Sequence, residues 1–333
     1  MASCASIGPA SVPRDRFDYI GSISESSKRQ LLLNLLKERY ADAPVFLDVT
    51  SVTNAYTLEG AVELLGQNSF GEQLRSVTAN AHYADQPTIT YTPLAGDKFA
   101  KSIMSPIPLS GLLLLIQGGH RVDGVFRLCV KSINGLHNAY GGDAARPGDA
   151  GFRELIELLR EDQTVGGLEF QVRSPDAQEI LLSFAPTPDA ATLERHARIA
   201  TLLGLKPGKS NYRLTFAPFA SNDTEIAVQS RSMQQVLVDL ASYIEVPQED
   251  VAEGRVYAPM RSEEQQRLFP APLRVRYGDV PTDAYISVRY RGRSFWIDDR
   301  DRESKAAFTF VMTMFSLVDT ETPHGPVLTI PAR

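Results

Sequence analysis

Cysteine is scarce in this sequence, neither sign of charge is in large excess, and no long apolar run occurs. Each shortage closes off a class of protein. The two cysteines are Cys4 and Cys129. With no CxxC spacing between them, they cannot form the four-ligand set of a structural zinc site. Lys and Arg number 34 against 40 Asp and Glu, for a net charge of -6. A nucleic-acid partner requires a basic excess to neutralise phosphates, so none is expected. The longest apolar run, Leu112 to Ile116 within Ile107 to Ile116, is far short of the roughly 20 residues that a membrane-spanning helix needs. Tryptophan occurs once, as Trp296.

What is present describes a globular chain. With 333 residues, 43% hydrophobic and 22% charged, it is long enough for one large domain or two ordinary ones. The most organised stretch runs from Tyr285 to Val318. Tyr285 to Tyr290 alternates with period two, Arg291-Gly292 is a turn signal, and Phe295-Trp296-Ile297 returns as a second strand. Asp298, Asp299 and Asp301 then suit a helix start, because a carboxylate there accepts orphan N–H bonds and faces the positive end of the helix dipole. Between Ala306 and Val318 the polar Thr309, Thr313 and Ser316 form one stripe, which leaves Phe308, Val311, Met312 and Phe315 for the buried face.

Along the chain, residues 1–16 read as a flexible tether of Ser, Ala, Gly and Pro. Ser22-Ile23-Ser24-Glu25 reads as a capping box, and Leu31, Leu32, Leu35 and Leu36 mark a helix that ends near Tyr40. Strands are expected from Val45 to Leu58 or beyond, over Gln73 to His82 and over Thr88 to Thr92. Gly96 to Ile133 reads as helices broken by Pro106, Pro108 and Gly118-Gly119. Asn134 to Gly151 reads as a glycine-rich loop that presents His137 and Tyr140 on a surface, and a helix follows from Phe152. In the second half, a hairpin over Leu168 to Phe184 leads to a helix from Asp189 to Leu203. Strands at Tyr212 to Phe216 and Ile226 to Val228 lead to a capping box at Ser232-Met233-Gln234-Gln235 and another helix. With Tyr285 to Val318 this makes three hairpin–helix (ββα) units, and so an α+β fold with helices on mainly antiparallel sheet. The expected domains are 17–165 and 166–333, the second with a surface insertion at 245–280.

Several segments carry a resemblance. These are Arg14-Asp15-Arg16-Phe17-Asp18-Tyr19, Lys28 to Asn34, Arg39 to Val49, Pro87 to Leu94, and Phe295-Trp296-Ile297-Asp298-Asp299-Arg300-Asp301. Together they resemble a family of uncharacterised proteobacterial outer-membrane lipoproteins, over nearly the whole chain. The resemblance implies a signal peptide ending just before Cys4, lipid attachment at Cys4, and a location on the periplasmic side of the outer membrane. It implies no mechanism. Only Met1, Ala2 and Ser3 precede Cys4, with no charged n-region and no apolar h-region, so the start of this sequence is expected to be trimmed or late.

For chemistry, Gly204-Leu205-Lys206-Pro207-Gly208-Lys209-Ser210 fails as a phosphate loop. It is one residue short, follows a helix, and carries a Pro where a donor is needed. The five histidines, His82, His120, His137, His196 and His324, show no ligand spacing, and His196 reads as a surface or satisfied helix residue. No GxSxG elbow is present. Cys129 lies among apolar residues and reads as a small buried hydrophobe. Asp298, Asp299, Asp301 and Glu303 lack the spacing of a calcium loop and suit helix capping. Tyr290 and Trp296 could form an aromatic platform for a ligand, or pack across strands. The expected function is a non-catalytic binding or scaffold protein, with no cofactor, held to the membrane by lipid and engaging an envelope protein. The alternatives are a hydrolase of envelope polymers using Asp298, Asp299 or His137, or a subunit of an envelope assembly. The surface-site candidates are therefore His137, Tyr140, Tyr290, Trp296, Asp298 and Asp299.

Overall fold

The structure is a computed structural model. It describes residues 7–69, 72–94, 96–142, 144–174, 179–187, 189–206, 208–257, 262–318 and 328–331. The chain divides into two compact units, Met1–Pro44 with Asp97–Thr320, and Val45–Gly96 with Glu321–Arg333.

The first helix, α1 (Ile7–Arg39), belongs to the larger unit. It takes in residues 7–16, which were expected to be a tether. Once Leu31, Leu32, Leu35 and Leu36 are buried, adding a residue to the helix costs far less than nucleating it, so the helix extends toward the N-terminus. Ser22 and Glu25 are therefore interior rather than capping, and Glu25 instead pairs with Arg29 at 3.1 Å, one turn on.

The smaller unit is built on β1 (Phe46–Ser69) and β2 (Glu72–Leu94). They pair antiparallel along their length, from Phe46 opposite Leu94 to Ser69 opposite Glu72, with one register shift between Val49 and Ser51. The two short strands expected over Gln73–His82 and Thr88–Thr92 are one, because a continuous ladder overrides the Pro87 signal between them. The third strand, β12 (Leu328–Pro331), pairs with β2 at Thr88–Tyr91.

In the larger unit, α2 (Asp97–Met104), α3 (Leu109–Gln117) and α4 (Val122–Cys129) come first. The remaining elements up to α7 are β3 (Val130–Ile133), β4 (Leu136–His137), α5 (Ala150–Val165), β5 (Leu168–Ser174), β6 (Glu179–Phe184), α6 (Ala190–Leu203), β7 (Asn211–Phe216), β8 (Glu225–Ser230) and α7 (Met233–Ala241). Their strands form one sheet in the order β4-β3-β8-β7-β6-β5. Phe126, Leu155, Leu159 and Leu203 of α4, α5 and α6 pack on Ile133, Phe170, Leu182, Leu214 and Val228 of that sheet, leaving a void of about 10 Å³. The fold is α+β.

This sheet crosses the domain boundary expected at 165/166. Gly166-Gly167 looks like a linker, but Gly166 (φ 68°) is the left-handed cap of α5. A Cβ on Gly167 would lie 2.7 Å from the Asp162 carboxylate, so both glycines serve close packing and neither marks a hinge. The ββα repeat is not borne out as three hairpin units. β5–β6 is a hairpin, but β7 and β8 run parallel, Leu214 opposite Ile226. Residues 217–224 span up to about 26 Å when extended, enough to return the chain past a four-residue ladder. The same order of elements also appears as β3-β4-α5, with β3 at the end of the stretch that reads as helices and β4 inside the expected loop.

After α7 come α8 (Gln248–Ala252), α9 (Glu263–Leu268) and β9 (Arg276–Tyr277), then β10 (Ala284–Tyr290), β11 (Arg293–Asp298) and α10 (Arg302–Val318). A second sheet has the order β10-β11-β9. Residues 245–280 are thus not a surface insertion, since they supply its third strand and bury Phe269, Leu273 and Val275. Arg291 (φ 47°) and Gly292 (φ 78°) form the two-residue hairpin turn, both in the left-handed region that a type I′ turn requires. α10 buries Phe308, Phe310, Val311 and Met314. Met312 and Phe315, expected on that face, are half-buried.

Asp301 stands at the N-terminus of α10 and accepts from Ser304 N (3.1 Å) and Ser304 Oγ (2.8 Å). Burial opposes its charge, but the Ser304 bonds and Arg274 hold its carboxyl below the usual range. Asp299 instead pairs with Lys305 at the surface (2.8 Å). Asp301→Ala should therefore cost about 0.5–2 kcal/mol at pH 7, and Asp299→Ala less than about 0.5, measured by urea denaturation. A carboxyl whose folded pKa is lowered stabilises above its unfolded value and ceases to as pH falls through the folded one. The Asp301→Ala deficit should accordingly disappear on acidification through that range.

Candidate functional site

The loop expected to present His137 and Tyr140 is turned inward. Asn138, Ala139, Gly141, Gly142 and Gly148 are all buried. The Asn138 side-chain amide donates to Arg127 O (2.9 Å) and Val130 O (2.8 Å) at the end of α4. A Cβ on Gly148 would lie 2.4 Å from the Phe269 ring and 2.7 Å from Ala139 N. The glycines that suggested a surface loop include Gly148, which is there because backbone meets side chain at contact distance.

Under this loop lies a buried ionic group. Arg231, between β8 and α7, donates from Nη1 to Asp239 Oδ2 at 3.0 Å. Arg127 of α4 approaches the same oxygen at 3.5 Å, and Gly141 N donates to Asp239 Oδ1 at 2.7 Å. Arg231 also donates to Leu128 O (3.1 Å) and Ala139 O (2.5 Å), and Arg127 donates to Tyr243 Oη. Burial pulls both guanidinium pKa values down, and Asp239 opposes that shift. Tyr140 lies under the Arg231 guanidinium, 5.2 Å from ring centroid to Cζ, and burial pushes its phenol up to about 12. It is therefore a neutral packing partner at physiological pH.

His137 occupies β4, and Asp149 satisfies its main chain on both sides. Asp149 Oδ2 accepts from His137 N at 2.7 Å, and Asp149 N donates to His137 O at 2.8 Å. Burial, then the nearby Arg146, lowers the imidazole pKa. A second histidine, His196, lies 2.7 Å from buried Asp162, which also holds Arg195 at 3.0 Å.

The remaining candidates lie around the second sheet. Pairing register places Tyr290 with Phe295 on its inner face, and Trp296 with Ser287 and Arg276 on its outer face. Tyr290 donates to Asp42 and meets the Tyr40 ring edge-on at 5.5 Å. Trp296 carries the Arg276 guanidinium at 5.5 Å. The two aromatics therefore cannot form one platform, because adjacent register positions put them on opposite faces. Asp298 accepts from Arg300 N at 2.9 Å, a local turn bond. Among the described residues, no hydrogen bond or ion pair joins His137 to Asp298 or Asp299. Cys4 lies outside the described residues.

No family model, characterised protein or solved structure matches this chain. Among the described residues, no group of three or more His, Cys, Asp and Glu is placed to hold a metal ion, and no helix is long and apolar enough to cross a membrane. The void under the six-stranded sheet is lined by apolar side chains and barely admits one water, which makes it a packing gap.

Sequence reasoning missed Arg127, Arg231, Asp239 and Arg39. Arg39 is 1% exposed and lies over the Tyr257 ring at 4.4 Å. A signal existed at Arg127, a charge within the apolar Val125-Phe126-Arg127-Leu128-Cys129-Val130, which can be buried only with a partner.

Cys129 is buried as expected, and desolvation pushes its thiol up to about 12. It should stay protonated and shielded at pH 8. In a Cys4→Ser variant, the disulfide reagent DTNB should release almost no thiolate from native protein and one equivalent in urea. Rapid stoichiometric reaction of the native variant would contradict this burial.

Proposed function

We propose that the chain is a non-enzymatic binding or scaffold protein, lipid-anchored through Cys4 on the periplasmic side of the outer membrane, where it engages an envelope protein. The observation that supports the non-catalytic part is that the candidate acid–base groups are not joined into one constellation: Asp149 holds the His137 main chain while the imidazole Nδ1 is buried without a hydrogen-bond partner, Asp298 holds a turn, and Asp299 pairs with Lys305. A general acid or base needs a substrate proton within hydrogen-bond reach and a matched partner. The anchoring part rests on the resemblance and on Ala2-Ser3-Cys4, whose small residues ahead of the cysteine suit cleavage by a lipoprotein signal peptidase. A single acyl chain binds membranes only marginally, whereas the three of a mature bacterial lipoprotein anchor durably.

The test is expression of the native gene with its upstream codons in cells fed labelled palmitate, followed by cross-linking in intact cells. The expected result is a labelled, membrane-bound protein cross-linked to an envelope protein, with Cys4→Ser releasing it from the membrane. Unlabelled protein wholly in the cytosol would overturn the anchor and the localisation together.

A further inference from the structure

In the smaller unit, β1 and β2 run on as a two-stranded ribbon past their only other partner. β12 joins β2 at Thr88–Tyr91 alone. From Ser51 to Ser69 and from Glu72 to Pro87 the pair has no third strand among the described residues. These three strands are the unit's described elements, so among the described residues nothing within the unit covers either face of the ribbon. A lone two-stranded hairpin is at best marginally stable in water.

Register sorts the ribbon onto two unlike faces, because opposed residues share a face and successive ones alternate. On one face, every position from Leu58 opposite Tyr83 to Leu64 opposite Val77 is apolar or glycine. Charge returns on that face only at Asp85, opposite Tyr56, and at Arg75, opposite Gly66. The alternate face carries Glu59 opposite His82, and Glu63 opposite Thr78. A half-buried sheet of a soluble domain alternates too, but it needs a body over its apolar face, and this unit supplies none among the described residues.

The length of the pattern selects a different environment. Eleven pairs separate and include the two charged ends, Tyr56–Asp85 and Gly66–Arg75, and a transmembrane β-strand takes about 9–11 residues. At about 3.4 Å per residue and a tilt of about 40°, these pairs rise about 26 Å, against the roughly 25 Å apolar band of outer-membrane barrels. Tyr56 and Tyr83 fall near one end of the band, where such barrels carry aromatic residues.

We propose that β1–β2 hairpins from several copies of this chain pair edge to edge and close into a β-barrel that crosses the outer membrane and conducts ions. The Leu58–Leu64 face meets lipid and the Glu59–Glu63 face lines a water-filled lumen, whose carboxylates favour cations. Lipid leaves no main-chain group unpaired. One hairpin therefore cannot enter alone, and the outer edge of β1 pairs with β2 of the next copy. With two strands from each, at least about four copies are needed to reach the smallest barrels of eight. This goes beyond the anchored binding reading and shares only its membrane.

The test reconstitutes the full chain carrying Cys4→Ser from octyl glucoside into phosphatidylethanolamine and phosphatidylglycerol vesicles. Val62→Cys or Ala61→Cys, at adjacent registers on opposite faces, carries the fluorophore NBD. The expected result is that nitroxide-bearing lipid quenches NBD at position 62 and aqueous iodide quenches it at 61. Cross-linking should give an oligomer, and a planar bilayer should show discrete, cation-preferring conductance steps. Val62→Arg should make such steps at least about tenfold rarer, whereas Ala61→Arg should still insert and shift the preference toward anions. Equal quenching at the two positions, protein that stays monomeric in the vesicles, or absence of conductance would overturn the proposal. Because Cys4→Ser has no lipid attachment, any of these failures leaves the anchored reading standing, and native protein that is unlabelled by palmitate yet conducts would sink the anchor alone.

Discussion

The arrangement of the larger unit depends on one buried carboxylate, Asp239, and the two guanidinium groups that converge on it. Asp239 and Arg231 are each about 1% or less exposed. At such burial, removing one partner of an ion pair is strongly destabilising, because it strands an uncompensated charge. Two cations and one anion leave an excess positive charge, and the fold places that charge at the C-terminus of α4, where Leu128 O accepts from Arg231. Unsatisfied carbonyls and the negative end of the helix dipole are found there. The same carboxylate fixes the loop through Gly141 N. One side chain of α7 thereby sets the positions of α4, the β8–α7 junction and the 138–148 loop.

That inward pull explains where two of the residues with candidate chemistry lie. His137 and Tyr140 belong to the loop that Asp239 and Arg231 hold down, so Tyr140 packs beneath a guanidinium and His137 closes a sheet edge. Around the second sheet, Tyr290, Asp298 and Asp299 are tied to Asp42, Arg300 and Lys305.

Local signals were legible in the sequence. The capping box at Ser232 and Gln235 forms with both reciprocal bonds, and Asp189 caps α6, because a cap depends on only three or four consecutive residues. Period-two alternation located β5, β7, β10 and β11 for the same reason. Strand direction was not legible. β8 runs parallel to β7 but antiparallel to β3, and β3 lies almost a hundred residues earlier, beyond any local pattern. Glycines misled in two places, since close packing at Gly148 and Gly167 has the same composition as a linker. The central ionic group was hidden because Arg127 lies about a hundred residues before Arg231 and Asp239 and each looks like an ordinary charge. Only the apolar neighbours of Arg127 mark it as a residue that cannot face water.

The most direct measurement compares Asp239→Leu with the variant that also carries Arg127→Met and Arg231→Met, both by urea denaturation. If the buried charges fix this arrangement, Asp239→Leu loses about 3–5 kcal/mol, and the triple replacement regains most of that loss by removing the stranded cations. A loss under about 1 kcal/mol for Asp239→Leu, or a triple variant no more stable than the single one, would contradict the account.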